Sequence, residues 1–336
     1  MSSSPIGTSS FTHEWLLESL KTADAKFFND FEVKSVDEIS GGKGFCSKVY
    51  LCNVGSESVV LKVPESGKFD VTHKDGNTDG SPNLERIKMI QDSHDRECKF
   101  YEDFGSHFLK LENKSWIQKF HKEIQDSTIP VMEGLFVALK AVDKNLFAEG
   151  VDKLLPYIRS KEFFNFVSYQ GHKDLDIPVV LAHGNLWTNN IFWKLNSDGS
   201  ISNEVAAYID WQIAHSGCIT YDLASVLTIC TEPDVRRLVA DEVLKEYYAT
   251  LTSAMDGNVP FTFEQVQNMY KINFIAQCFN VMFTVVYQPQ MNANLPEDVR
   301  EAQFNKIRYR AKFAMDDCLA ILDSDLLPER FSRLSI

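Results

Sequence analysis

The chain has 336 residues, 44% hydrophobic and 24% charged, an ordinary globular composition with room for two lobes. Its formal net charge of −13 excludes the basic footprint with which a nucleic-acid binder neutralises phosphates. The seven cysteines form no C-x-x-C pair and are odd in number, so reduced thiols in a cytoplasmic setting are expected rather than a disulfide framework or a zinc cluster.

The opening MSSSPIGTSS lacks the basic and apolar regions of a signal peptide. Residues 11–29 read as a short helix with Trp15, Leu16, Leu17 and Leu20 on its apolar side. The period then changes. FEVKSVDEI alternates as a strand, SGGKGFCS is a Gly-rich connection, KVYLCNV alternates again, and SVVLKVP follows the Gly55-Ser56 turn as a third strand. An antiparallel meander is predicted. Residues 67–83 carry loop composition, and a helix is expected over 84–104.

From 113 to 170 the pattern is helical, with a break expected near Ser127 to Pro130. IPVMEGL, 129–135, could be a strand, but Met132, Leu135, Phe136, Leu139 and Val142 recur at helical spacing and predict a helix. VVLAH, 179–183, is a short apolar strand. IFWKL and VAAYID flank the turn NSDGS as a second hairpin, and after Asp222 the chain reads helical almost to its end. The most apolar helix, 273–287, is too short to cross a bilayer and carries Gln277, Asn280 and Thr284 as one polar stripe. No membrane span is expected; this is a core helix. The fold class is therefore α+β, with a small β-rich N-terminal lobe (1–108), a large helical C-terminal lobe (109–336) and a boundary near 105–113.

Four positions suit phosphoryl transfer. Gly41, Gly42 and Gly44 sit between two strands, where their backbone can approach phosphate oxygens, although a plain flexible hairpin loop fits as well. Lys62, one strand later, can reach back under that loop, against the commoner fate of a solvated strand lysine. Glu97 in HDRECKFYEDF could hold Lys62 by an ion pair; Phe100, Tyr101 and Phe104 put an apolar face beside it, while Asp95, Glu102 and Asp103 make a merely charged face the alternative. Asn190 ends the loop HGNLWTNN and Asp210 ends the strand in YIDWQ, so the two can converge on one metal, and Mg²⁺ takes such oxygen ligands.

At this point HGNLWTNNIFW, followed by YIDWQIAHSGCITYDLASVL, resembles the CHK kinase-like (choline-kinase-like) family. That family includes the ecdysteroid-kinase-like proteins of insects and a nematode branch, and is related to the aminoglycoside phosphotransferases. The resemblance implies a bilobal protein-kinase-like fold, ATP and Mg²⁺ as cofactors, and a hydroxylated small molecule as acceptor. It implies that Lys62 binds the phosphates, Glu97 anchors it, His183 supports the catalytic loop, and Asn190 and Asp210 hold Mg²⁺. Asp222 would brace the loop from below, or equally cap its helix. Trp187, Gln212 and His215 fall where the acceptor side begins.

The chain departs from the pattern twice. The family's catalytic Asp is Asn185 here, nearly isosteric but unable to accept a proton. Between Glu97 and His183 the fold calls for two more strands and an adenine-binding hinge, and no strand pair is found; the shortening falls near Phe104 to His107. Two functions follow: a phosphotransferase slowed by Asn185, or a pseudokinase that binds or scaffolds. A metal-dependent hydrolase is a distant third, without a His/Asp cluster or a G-x-S-x-G elbow.

Overall fold

The computed structural model describes residues 4–28, 30–39, 47–64, 84–104, 115–291, 295–332 and 334. The chain divides into two compact units, Met1–Asp95 and Arg96–Ile336. That division lies ahead of the 105–113 stretch, inside a helix, because Phe100 is buried with Leu181, Trp211 and Ala214 of the second unit.

In the first unit α1 (His13–Ala23) starts at Thr12, whose hydroxyl accepts the Trp15 backbone N–H at 3.2 Å. After α2 (Ala25–Phe28) come β1 (Val33–Glu38), β2 (Ser47–Val54) and β3 (Glu57–Pro64), an antiparallel sheet in the order β1-β2-β3. This is the expected meander. Its apolar face and α1 bury Ile6, Leu16, Tyr50, Cys52 and Val54 together. The glycines Gly41, Gly42 and Gly44 lie outside the described residues, as do the 67–83 loop and the 105–114 stretch that holds most of the suspected shortening.

Helix α3 (Leu84–Phe104) leads from the first unit into the second, which continues with α4 (Ser115–Val142) and α5 (Lys144–Arg159). No break occurs near Ser127 to Pro130: α4 runs through Pro130. The proline removes one helical donor, but Met132, Leu135, Phe136 and Leu139 bury one face in the core and hold the helix across it. IPVMEGL is helical, and among the described residues no strand lies between α3 and residue 180.

The chain then forms α6 (Lys161–Asn165), a π turn (Phe166–Gln170) and α7 (Gly171–Asp174). Four short strands follow: β4 (Val180–Ala182), β5 (Ile191–Leu195), β6 (Ile201–Tyr208) and β7 (His215–Gly217). β5 and β6 are the expected hairpin; β7 pairs antiparallel with β4, Ala182 opposite His215. Helix α8 (Tyr221–Ser225) passes into a second π turn (Val226–Cys230), followed by α9 (Pro233–Ala254), α10 (Phe263–Met291), α11 (Glu297–Leu322) and α12 (Glu329–Ser332).

Helix α10 is about twice the length read from its apolar segment. Residues 263–288 are long and apolar enough to cross a membrane by length and composition, which corrects the expectation that the segment is too short. Its side chains are spent on the protein core: Val266, Met269, Ile275, Cys278, Phe279 and Val285 are fully buried. Its buried Asn273 has partners inside. Asn273 donates to the Val167 carbonyl in the first π turn at 3.0 Å and accepts the Thr220 hydroxyl at 2.9 Å, so it ties three elements together.

Candidate active site

The loop between β4 and β5 begins with His183 and Gly184. Gly184 has φ +83, and a Cβ there would lie 2.3 Å from the Ile213 carbonyl oxygen, so only glycine fits both the backbone and the space. Asp222 sits in the first turn of α8. It does not cap the helix; its carboxylate reaches up to the loop and accepts the His183 backbone N–H at 2.7 Å and the Gly184 N–H at 2.9 Å. Ser225, one turn along, donates its hydroxyl to the Leu186 carbonyl at 2.8 Å. Sequence reading missed Ser225, although its spacing from Asp222 places both on one helix face.

His183 is buried and held at both ring nitrogens. The Asn185 backbone N–H donates to Nδ1 at 3.2 Å, which leaves Nε2 to carry the proton and donate to the Ile209 carbonyl at 2.8 Å. Burial lowers the imidazole below the usual histidine range, against the opposing pull of Asp222 and the Ile209 bond. Burial likewise pushes the Asp222 carboxyl up, against the two amides that favour its charge. A neutral His183 with one fixed tautomer is thus a strut between the loop and the Ile209–Asp210 segment.

Asp210 follows β6 with φ 69, a left-handed conformation that Asp tolerates better than most residues and that turns its side chain out of the strand path. Three amides converge on its Oδ2: Asn185 Nδ2 at 2.7 Å, Asn190 Nδ2 at 3.3 Å and Gln212 Nε2 at 3.3 Å. Asn190, buried at the end of a short 3-10 turn, also donates to the Asn185 carbonyl at 2.8 Å. The sequence-predicted residues His183, Asn185, Asn190 and Asp210 are therefore brought together in the second unit. The donor chemistry fits Mg²⁺: Asp210 carries a carboxylate and Asn190 a side-chain carbonyl, both hard oxygen donors. Among the described residues no group of three or more His, Cys, Asp or Glu competes as a metal cluster.

The other expected residues are spread over both units of the chain. Glu97 is buried on α3, and its charge is one of those acting on His183. Beside it the buried Arg96 donates to the Gln212 carbonyl at 2.9 Å, a link that sequence reading missed. Lys62 belongs to the first unit, on β3 opposite Val49. His215 Nδ1 bonds the Ile213 carbonyl at 2.9 Å, a structural position. Trp187 precedes the 3-10 turn without a capping bond. Trp211, also unforeseen, stacks on Phe100 (centroids 4.0 Å apart, planes 7° apart) and lies 4.4 Å from the His183 ring. It wedges α3 against the strut; the signal was an aromatic directly after Asp210 and an aromatic run on α3.

The sequence has matches among known proteins. The family profile DUF1679, described as "Uncharacterized oxidoreductase dhs-27", matches residues 105–326. The Caenorhabditis elegans protein named "Uncharacterized oxidoreductase dhs-27" is 34% identical over 194 residues, which are 54% of this chain and 24% of that protein. The C. elegans "Uncharacterized kinase-like protein D1044.1" is 26% identical over 156 residues, 46% of this chain and 40% of that protein. Each match thus covers less than half of the relative's length. A crystal structure of choline kinase from Cryptosporidium parvum aligns over 96% of this chain and 99% of that one, with TM-score 0.43 and 13% identity, too loose a likeness to transfer residues.

Proposed function

The chain belongs to the DUF1679 family, a CHK kinase-like family, and from that premise we propose that it is an ATP- and Mg²⁺-dependent phosphotransferase for a hydroxyl of a small molecule, slowed by Asn185. The observation that carries the proposal is the convergence of Asn185, Asn190 and Gln212 on the Asp210 carboxylate, beneath a loop braced by Asp222. Asn190 and Asp210 would hold Mg²⁺, which neutralises phosphate charge when bound. Lys62, with Glu97 as its anchor, and the backbone at Gly41, Gly42 and Gly44 would serve the nucleotide phosphates.

Asn185 can donate or accept a hydrogen bond and so orient an acceptor hydroxyl. It cannot take the proton, and losing a general base costs about 10²–10⁴-fold in rate. Phosphoryl transfer rests mainly on positioning and charge neutralisation, so a slow reaction survives that loss. The oxidoreductase in one relative's name belongs to a protein of which about three quarters lies outside the match, and no Gly-x-Gly-x-x-Gly sequence occurs in this chain.

A second reading has its own observation. The 2.7 Å bond from Asn185 to Asp210 turns the catalytic position toward the metal position, as a binding or scaffolding pseudokinase would tolerate. Thermal unfolding across a Mg·ATP series separates the two, with Asp210→Ala as control. A saturable, Mg²⁺-dependent rise that the control lacks, followed by phosphate transfer to a member of a hydroxylated-metabolite panel, supports the phosphotransferase. A flat response from a cooperatively folding chain goes to the pseudokinase.

A further inference from the structure

The Asn185 amide makes the shortest of the three contacts to Asp210 Oδ2, at 2.7 Å against 3.3 Å for both Asn190 and Gln212. The contact works in one orientation only. Rotating the amide would set its oxygen against a carboxylate oxygen at hydrogen-bond distance. Asn185 is also fixed through its backbone, since its N–H bonds His183 Nδ1 and its carbonyl accepts from Asn190. Asp210 for its part has a left-handed backbone, which needs support from its surroundings. A carboxylate at 185 would bring two like charges together at the shortest of these contacts, where repulsion is strong in a partly buried setting.

We infer that Asn185 is a positioning residue: its amide does for Asp210 what a bound cation otherwise does, so the loop and the Asp210 segment assemble with no divalent ion. The corollary, which rests on the Mg²⁺ assignment above, is that a carboxylate at 185 makes assembly cation-dependent. The residue that weakens proton transfer thus frees the architecture of the site from metal.

The test is thermal unfolding of the full chain as wild type, Asn185→Ala, Asn185→Asp and the exchanged pair Asn185→Asp/Asp210→Asn, in excess EDTA and in saturating Mg²⁺. In EDTA the midpoints should fall in the order wild type, Asn185→Ala, Asn185→Asp, the last by on the order of 2–6 °C. The exchanged pair restores the 185–210 bond but sets an amide at position 210 against the Asn190 and Gln212 donors, so it should recover part of that loss, which a general packing role for Asn185 would not produce. Asn185→Asp as stable as wild type in EDTA overturns the inference, and so does an exchanged pair no better than Asn185→Asp. If Asn185→Asp does not fold, a folded exchanged pair supports the inference and an unfolded one overturns it. Mg²⁺ should raise Asn185→Asp more than wild type. If the EDTA order holds and Mg²⁺ raises neither, the positioning role stands and the metal assignment falls. If Mg²⁺ stabilises wild type and the EDTA order fails, the metal assignment stands and the positioning role falls.

Discussion

Asp222 holds His183 from below through its backbone: Oδ2 accepts the His183 N–H at 2.7 Å while Oδ1 takes the neighbouring Gly184 N–H at 2.9 Å. One carboxylate thereby satisfies two donors that the loop cannot pair within itself. Asp222→Ala would leave both without a protein partner and should cost about 2–4 kcal/mol. Asp222→Asn keeps one acceptor and turns an NH₂ toward the other N–H, so its cost should be intermediate. Urea unfolding of the three proteins checks the order, and equal stability of wild type and Asp222→Ala would refute the bracing role.

Gly184 and Gly199 form an internal control for backbone strain. Both have positive φ, +83 and +82, but a Cβ at Gly184 meets the Ile213 carbonyl at 2.3 Å while one at Gly199 meets nothing within 4 Å. Gly199→Ala should cost only the left-handed backbone penalty, about 1 kcal/mol. Gly184→Ala adds a backbone clash and should cost about 2–4 kcal/mol. Similar costs for the two, read from denaturant midpoints, would mean that the loop moves freely away from Ile213.

The 183–190 loop was legible in part: Asn190 and Asp210 were singled out from residue type and strand order and His183 from the family resemblance, and the three meet at Asp210 or the strut beside it. The meander and the β5–β6 hairpin were legible from alternation and turn residues. What stayed hidden depends on partners distant in the chain. β7 has three residues, too few for a period, and exists because β4 pairs with it. Pro130 looked like a helix end because local sequence does not show that Met132, Phe136 and Leu139 have a core to enter. Asp222 left two readings open, cap or brace, and only the approach of the loop amides decides between them. Arg96 and the Phe100–Trp211 stack join α3 to residues more than a hundred positions away, beyond any local pattern.

Asp317 on α11 neutralises two arginines of α9 in unequal settings. Arg236 is buried, contacts Asp317 and lies with its guanidinium 4.7 Å from the Phe274 ring centroid, whereas Arg237 is about half exposed and bonds Asp317 at 2.7 Å. Asp317→Ala would strand the Arg236 charge in the interior and should cost about 3–5 kcal/mol. Arg237→Ala should cost less than about 1 kcal/mol, as exposed ion pairs do. Chemical denaturation of both variants tests this, and a cheap Asp317→Ala would show that Arg236 reaches water in solution.

Two histidines, His183 buried and His172 half-buried, set the direction of the acid response. His183 and His172 are both held below the usual 6.5, with burial as the leading cause. His172 keeps its Nδ1–H on the Ile177 carbonyl at 3.0 Å. Each is thus neutral in the native chain over a range where the unfolded chain is already protonated. The unfolded state then binds more protons, so stability rises with pH; this contribution is present above 6.5 and is lost as pH falls below it. Asp222 acts in the opposite sense: its carboxyl is raised above the usual 3.8 by burial, so the native state takes up that proton first and gains relative stability as pH falls toward the carboxylate range. Because the histidine window begins near 6.5 and that of Asp222 rises from 3.8, stability should decline from pH 7.5 to 5.5. His172→Gln, whose amide can still donate to Ile177, should flatten part of that decline without touching the loop. Urea midpoints at half-unit pH steps provide the readout. A flat wild-type profile over this range would show that the two rings take up protons in the native state as readily as in the unfolded one, and an inverted profile would put Asp222 in control.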